Sequence, residues 1–297
     1  MSFDGKLSVL FSDFPEYELL DSGERLKLER FGDCRIIRSE PKAWWKKQNP
    51  SLWKTADCRY FDDDKKSAHW DFFKKVNAPL LSCGKIKFCT KFMDGTKHIG
   101  VFPEQKPHWD FIASAAKMRD SSARPGLLNL FGYTGGATLA AAAAGYRVTH
   151  VDASKPSVDW ARKNQAASGL ENSPVRWIVD DALKFARREV RRGAKYDAIV
   201  LDPPAFGRGP KGELWKLDKM LPELLEACGA LISNSPMFVL MTLYSIDASA
   251  IMAANMLEEY FGKKRKCAVE AGELALRPIG GSCALPLSLW AKAVFCG

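Results

Sequence analysis

Two stretches decide the fold: Leu128-Asn-Leu-Phe-Gly-Tyr-Thr-Gly-Gly-Ala137 and Tyr196-Asp-Ala-Ile-Val-Leu-Asp-Pro-Pro-Ala-Phe206. The first reads as a short apolar strand that runs into a glycine turn and then a helix. Glycine lacks a Cβ, so Gly132, Gly135 and Gly136 let the backbone turn tightly and approach a ligand. The helix dipole and free amides then lie beneath whatever binds. The spacing Gly-x-x-Gly-Gly is not the Gly-x-Gly-x-x-Gly pyrophosphate cradle, nor does it contain the Gly-Lys-Ser/Thr of a triphosphatase loop. The second stretch is another strand. It ends in a carboxylate, Asp202, followed by Pro203 and Pro204, which fix φ twice and remove two donors. Carbonyl oxygens and the carboxylate are left at the strand end, with the flat ring of Phe206 close by.

Acidic residues extend the pattern. Asp152 ends the next strand, twenty positions after Gly132, where a carboxylate can accept both ribose hydroxyls of a nucleoside. Asp180 and Asp181 end the strand after that. One of them can accept the exocyclic amine of an adenine, or the pair can simply cap a helix. Ligands of open α/β sheets bind at the carboxyl ends of the strands. The two corners together therefore imply an enzyme that holds a nucleoside-type cofactor beside a flat acceptor. The glycine-rich, cationic run Phe206-Gly-Arg-Gly-Pro-Lys-Gly-Glu-Leu-Trp-Lys216 reads as a loop whose Arg208 and Lys211 can reach a phosphate backbone or close on substrate. Tyr244 and Ser245, at the end of the fifth strand, either complete a substrate wall or satisfy a loop.

Working outward, residues 106–297 alternate strand and helix. The expected strands are 127–131, 147–152, 175–179, 196–202 and 237–244; the expected helices are 107–118, 137–144, 156–168, 182–192, 217–228 and 249–260. Such βα units imply a parallel sheet covered by helices on both faces. The tail differs: 267–276 and 284–295 are strand-like, with no room for a helix between them, so they pair antiparallel or lie apart. A mostly parallel sheet finished by an antiparallel hairpin argues against a dehydrogenase. Residues 1–105 show short alternating segments broken by Pro, Gly and Asp, which predict a small β-rich module. Its Trp44, Trp45, Trp53 and Trp70 anchor a core, or, flanked by Lys42, Lys46, Lys47 and Lys54, stack bases above a phosphate track.

Composition sets the frame. The 297 residues carry a formal charge of +9, spread over both halves, which suits a polyanionic partner without requiring one. Eight cysteines without a Cys-x-x-Cys pair, and only four histidines, argue against a metal site and for reduced thiols. Met-Ser-Phe-Asp-Gly-Lys lacks the apolar core of a signal peptide, and the apolar run around Ala140–Ala144 is too short for a bilayer. A cytoplasmic protein without membrane association is expected. Whether it is a monomer or a dimer stays open.

The segments Asn129-Leu-Phe-Gly-Tyr-Thr-Gly-Gly, Val151-Asp, Asp202-Pro-Pro-Ala-Phe-Gly-Arg-Gly-Pro-Lys-Gly-Glu and Phe102-Pro-Glu-Gln resemble bacterial S-adenosylmethionine-dependent methyltransferases related to the large-subunit (23S) ribosomal RNA enzymes. The resemblance implies an α/β, class I methyltransferase Rossmann-like sheet with the N-terminal β module serving substrate recognition. It implies that Phe102, Asn129, Phe131, Gly132, Tyr133, Thr134, Gly135, Asp152, Ala153, Ser154, Asp180, Asp181, Ala182 and Asp202 surround S-adenosylmethionine, leaving S-adenosylhomocysteine as product. Asp202, Pro203, Pro204 and Phe206 then border the target base, and Arg208, Lys211, Tyr244 and Ser245 contact a structured RNA such as ribosomal RNA. Two departures stand out. Cytosine-C5 enzymes of this wider group use a cysteine nucleophile near the fourth or fifth strand, where this sequence has Asp202-Pro-Pro-Ala-Phe and Thr242-Leu-Tyr-Ser. Transfer to a nitrogen or oxygen is thus easier to defend than C5 chemistry, with N-methylation the expectation. Relatives often carry a further N-terminal RNA-binding domain, whereas here the β module opens the chain. A small-molecule or protein methyltransferase, or a non-catalytic RNA-binding or assembly protein on a retained cofactor fold, are the competing expectations.

Overall fold

Gly126-Leu-Leu-Asn-Leu130 is buried at all five positions, as a central strand covered on both faces requires. It lies in the larger of two compact units. In this computed structural model, which describes residues 4–62, 68–118, 124–244, 246–263, 265–281 and 283–296, the larger unit takes Met1–Leu10, His108–Leu274 and Ser288–Gly297. The smaller takes Phe11–Pro107 and Ala275–Leu287.

After an opening strand β1 (Leu7–Phe11), the smaller unit lays down β2 (Tyr17–Gly23), β3 (Leu26–Phe31), β4 (Cys34–Ser39), β5 (Cys58–Phe61) and β6 (His69–Phe72) in that order across one sheet. A separate hairpin joins β7 (Leu80–Cys83) to β8 (Ile86–Cys89). Neighbours in the five-stranded sheet are antiparallel except β4 and β5. Leu19, Leu28, Phe31, Ile36 and Phe88 form its apolar interior. An ionic cluster shares that interior. Glu29 accepts from Arg38 Nε and Nη2, each at 2.7 Å, and from the Tyr17 hydroxyl at 2.8 Å, with Lys27 Nζ 3.5 Å away. Burial pushes the Glu29 carboxyl up, but the Arg38 and Lys27 charges and the hydrogen bonds outweigh it and hold the group down at about 2.

The larger unit continues with α1 (Lys106–Lys117), β9 (Gly126–Leu130), α2 (Gly136–Ala143), β10 (Arg147–Asp152), α3 (Lys155–Ala167), β11 (Val175–Val179), α4 (Ala182–Arg191) and β12 (Ala198–Leu201). Then come a small hairpin, β13 (Phe206–Arg208) with β14 (Leu214–Lys216), and α5 (Leu217–Leu231), β15 (Phe238–Tyr244), α6 (Ala250–Leu257), β16 (Cys267–Leu276) and β17 (Leu285–Phe295). Eight strands share one sheet in the order β1-β16-β17-β15-β12-β9-β10-β11. From β15 to β11 the neighbours are parallel, β17 joins β15 antiparallel, and the expected C-terminal antiparallel hairpin β16–β17 lies between β15 and the edge strand β1. Side chains alternate across the strands. Leu128, Leu130, Ile199, Leu201, Val239 and Met241 pack with residues of α4, α5 and α6, while Leu127, Ala198, Val200, Phe238 and Leu240 pack with residues of α1 and α2. One sequence expectation needs correcting. Residues 206–216, read as a loop, pair as the β13–β14 hairpin, because Gly209 and Gly212 form a tight turn between short strands. No helix among the described residues is long and apolar enough to cross a membrane.

The Glu29 cluster makes acid sensitivity of the smaller unit an expected outcome. A carboxyl whose folded value lies near 2, below its unfolded value of about 4.3, contributes stability that is full above that unfolded value. The contribution is lost as pH falls through the folded value. Arg38→Met should lower unfolding free energy by about 3–5 kcal/mol by stranding a buried charge. Glu29→Met combined with Arg38→Met should recover part of the loss in urea unfolding followed by tryptophan fluorescence. Equal losses in the single and double variants would refute this account.

Candidate active site

The sheet order reverses between β9 and β12: one half continues to β10 and β11, the other to β15. Connections leave such a switch point in opposite directions and open a crevice at the carboxyl ends of the strands. The two stretches that decide the fold meet there. Leu201 of β12 pairs with Leu130 of β9, and the Asp202 N–H donates to the Leu130 carbonyl at 3.4 Å.

The loop after β9 is held in a demanding conformation. Phe131 and Tyr133, neither of them glycine, have φ of 59° and 47°, in the left-handed region that side chains rarely adopt. Asp152 fixes this geometry. Its Oδ2 accepts from the Tyr133 N–H and its Oδ1 from the Ser154 N–H, both at 2.8 Å. Burial raises the Asp152 pKa against the lowering effect of those two bonds. Each carboxylate oxygen has a second lone pair, which suits the vicinal hydroxyls of a ribose. Ser154, exposed, caps α3 by accepting from Ser157 N–H at 3.3 Å; Ala153 is half-buried between them.

The glycines also serve the protein's own packing. A Cβ at Gly132 would overlap the His150 ring, and one at Gly136 would come within 2.6 Å of the Trp109 indole. His150 lies in the strand beneath the loop, where burial holds its imidazole at about 3, hence neutral. Its Nδ1 is 2.9 Å from Thr138 Oγ1, which accepts from Asn129 Nδ2 at 2.9 Å. Asn129 is 2 % exposed, so its amide is engaged between the sheet and α2. Thr134 is buried, and its carbonyl accepts from Asn164 Nδ2 at 2.9 Å. Sequence reading singled out neither Thr138, His150 nor Asn164. His150 and Asp152, the polar pair in Val148-Thr-His-Val-Asp152, were a usable signal; Asn164 on α3 gave none.

At the third strand end, Asp181 is the N-cap of α4 and accepts from the Lys184 N–H at 2.9 Å through Oδ1, with Ala182 buried next to it. Asp180 accepts from the Asp181 N–H and pairs with Arg188 at 2.6 Å. Helix capping thus accounts for one oxygen of Asp181, and an ion pair engages Asp180.

Beyond Asp202, Pro203 is buried and Pro204 exposed. The Pro204 carbonyl accepts from Trp215 Nε1 at 2.7 Å, and the Trp215 ring lies 4.9 Å from that of Phe131. Trp215 is thus a strut between the Pro-Pro segment, the β13–β14 hairpin and the glycine loop. Phe206 is 56 % exposed, and Arg208 and Lys211 project from the hairpin into solvent. Glu213 steadies the turn. Its Oε1 pairs with Lys184 at 2.6 Å and its Oε2 accepts from the Lys211 N–H at 2.8 Å; the Lys184 hydrogen bond, then those backbone bonds, pull its carboxyl down to about 2. Tyr244 ends β15, half-buried, and Ser245 lies outside the described residues. Phe102 belongs to the smaller unit, its ring 4.9 Å from that of His98.

A parallel sheet with an antiparallel closing strand, a strained glycine loop and acids at successive strand ends defines a nucleoside-cofactor enzyme of the class I methyltransferase type. Residues 108–257 match the family model described as S-adenosylmethionine-dependent methyltransferase, and the chain belongs to that family. It is 39 % identical to the S-adenosylmethionine-dependent methyltransferase of Agrobacterium tumefaciens, whose crystal structure agrees with a TM-score of 0.90 over 99 % of this chain and 97 % of that one. Over 81 residues it is 43 % identical to ribosomal RNA large subunit methyltransferase I of Klebsiella pneumoniae, covering 27 % of this chain and 20 % of that protein. Over 166 residues it is 33 % identical to ribosomal RNA large subunit methyltransferase K/L of Shewanella frigidimarina, covering 54 % and 22 %. The chain thus matches about a fifth of the length of these curated relatives. It is an enzyme, and S-adenosylmethionine is its cofactor.

Gly132→Ala should destabilise the larger unit by about 1–3 kcal/mol through overpacking against His150. Adding His150→Ala should be non-additive and recover part of the loss. Thermal unfolding of the wild type, both single variants and the double variant checks this; strictly additive effects would disprove the contact.

Proposed function

We propose that this enzyme methylates a base of ribosomal RNA, at nitrogen rather than at the C5 carbon of a pyrimidine. The observation that carries the reading is the meeting of Asp202-Pro203-Pro204 with the cofactor loop at the β9/β12 switch point. S-adenosylmethionine supplies a methyl group on a sulfonium that carries its own leaving group. What this chain must then add is alignment and a polar seat. Asp152 receives the ribose hydroxyls, the remaining oxygen of Asp181 receives the adenine amine, and Phe131 to Gly135 wrap the nucleoside. The Asp202 carboxylate accepts the N–H of the acceptor and takes up its proton as the nitrogen attacks. Pro203 and Pro204 hold that carboxylate and the adjacent carbonyls in place, and the exposed Phe206 ring stacks on the base. Arg208 and Lys211, with Tyr244, contact the backbone around it.

The cysteines support nitrogen over carbon. Attack through C5 needs a covalent thiolate adduct, hence an accessible thiol of lowered pKa. In the larger unit Cys228 is buried in α5 and pushed up to about 12 by burial, Cys267, buried in β16, is also raised, and the exposed Cys296 follows β17 at the amino end of β15, opposite the carboxyl ends of the parallel strands. The RNA substrate is supported by the basic charge of the chain and by its partial similarity to ribosomal RNA large subunit methyltransferases. A protein or small-molecule acceptor is the second reading, favoured by the short span of those matches.

The test is methyl transfer from radiolabelled S-adenosylmethionine to RNA purified from a strain lacking the gene, with and without ribonuclease. Label should enter ribosomal RNA, vanish with ribonuclease and map to a ring or exocyclic nitrogen. Asp202→Ala should lower kcat by about 100-fold or more, and Asp152→Ala should weaken cofactor binding about 10- to 100-fold. Label in protein or metabolites with none in RNA would overturn the substrate, and label at C5 would overturn the chemistry.

A further inference from the structure

Of the four tryptophans between residues 44 and 70, three turn their indole N–H groups toward the fold. Trp45 donates to the Ser22 carbonyl at 2.9 Å, Trp53 to Asp21 Oδ2 at 2.7 Å, and Trp70 to the Met93 and Thr96 carbonyls, each at 3.2 Å. Trp44 differs. Its N–H is satisfied locally by the Pro41 carbonyl at 2.6 Å, and the residue is 77 % exposed. A ring in solvent leaves its π face open to a flat or cationic partner.

The backbone that presents the ring is also fixed. Its two chain neighbours are pinned to the turn between β2 and β3: Arg25 N–H donates to the Ala43 carbonyl and Glu24 N–H to the Trp45 carbonyl, both at 2.7 Å. That turn places two non-glycine residues, Glu24 and Arg25, at φ of 54° and 61°, an uncommon arrangement in a two-residue hairpin turn that normally selects Asn-Gly. Gly23 permits the close approach, since a Cβ there would lie 2.5 Å from the Lys47 backbone nitrogen. On the other side, buried Asp21 accepts the Gln48 N–H at 3.3 Å, the Asn49 N–H at 3.0 Å and the Trp53 indole. The segment that presents Trp44 is therefore pre-organised rather than draped.

Charge completes the surface. No acidic residue occurs from Pro41 to Ala56, whereas Lys42, Lys46, Lys47 and Lys54 do. The Arg25 guanidinium lies 5.7 Å from the Trp44 ring centroid, and Lys47 Nζ lies 4.5 Å from that of Trp53 while pairing with Glu24 at 3.1 Å. Among the described residues Arg25, Lys46 and Lys54 form no ion pair with a carboxylate. An exposed flat ring beside the Arg25 guanidinium, on a segment whose Lys46 and Lys54 form no ion pair among the described residues, matches an unpaired nucleotide, whose base offers a π face and whose phosphate offers a negative charge.

We propose that Trp44, with Arg25 beside it, is a stacking platform for an unpaired base of the RNA substrate, and that Lys46 and Lys54 take the flanking phosphates. The proposal rests on the RNA reading above and names the partner of a surface outside the methyl-transfer site. It is tested on the full chain by titrating a short unstructured oligoribonucleotide at several salt concentrations, following indole fluorescence, with cofactor binding measured in parallel. Trp44→Ala should weaken RNA binding about 5- to 150-fold, and Trp44→Phe should keep most of it, because any flat ring stacks. Arg25→Gln should reduce the salt slope by about 0.7. Cofactor affinity and the thermal unfolding midpoint should be unchanged in all three variants, which shows that each is folded. Wild-type RNA affinity in Trp44→Ala would overturn the platform and leave the methylation reading standing. No RNA binding by the wild type, single- or double-stranded, would overturn both.

Discussion

The Asp152 carboxylate, with one oxygen on the Tyr133 amide and the other on the Ser154 amide, ties together the two loops from which the cofactor corner is built. Without it, nothing in the local sequence would favour positive φ at Phe131 and Tyr133, conformations that cost on the order of 1–3 kcal/mol each for non-glycine residues. The strain persists because the surroundings over-determine it. The His150 ring fills the space that a side chain at position 132 would need, Trp109 does the same at 136, and the Asn164 amide holds the Thr134 carbonyl. Burial raises the Asp152 pKa, so the same group that organises the loop is poorly solvated. A poorly solvated carboxylate with spare lone pairs gains by meeting ribose hydroxyls.

The second half of the site depends on the first through one strand pairing. Because β12 lies directly beside β9, the Asp202 backbone hydrogen-bonds the strand that carries the glycine loop, and Trp215 closes the gap from the far side. On the proposed reading, cofactor seat and acceptor seat are thus referenced to the same backbone and not to two independently moving loops. Sub-ångström alignment of donor and acceptor is the main contribution an enzyme can make when the reactive group arrives with its own leaving group.

Much of the larger unit was legible in sequence because its signals are local. The buried run of β9, the capping Asp181, and acids at successive strand ends all report their own environment. The tail was legible by exclusion, since two successive strands with no helix between them cannot pair parallel with each other. Long-range packing was hidden. The glycines suggested an opening toward ligand, and nothing nearby announced that His150 and Trp109 would occupy the space left by two of them. Residues 206–216 looked like a loop because strands of three residues are too short to show alternation, and the strut role of Trp215 depends on Pro204 and Phe131.

Net charge was the least specific signal, and the structure shows why. The arginine-rich helix α4 looks like a nucleic-acid track, yet Arg187 pairs with Glu223, Arg188 with Asp180, and Arg192 with Glu189. Its charge is largely compensated where it stands. In the smaller unit the buried cations Lys27 and Arg38 are likewise matched to Glu29 and Glu40. A chain of +9 therefore has far fewer cations available to a partner than its composition suggests. Those on segment 42–54 stand out because no acid lies among them in sequence, and because among the described residues Lys46 and Lys54 form no ion pair with a carboxylate while Lys47 pairs with Glu24. Compensation, rather than the count of basic residues, is what separates a solvated face from a surface with charge to spend on a polyanion.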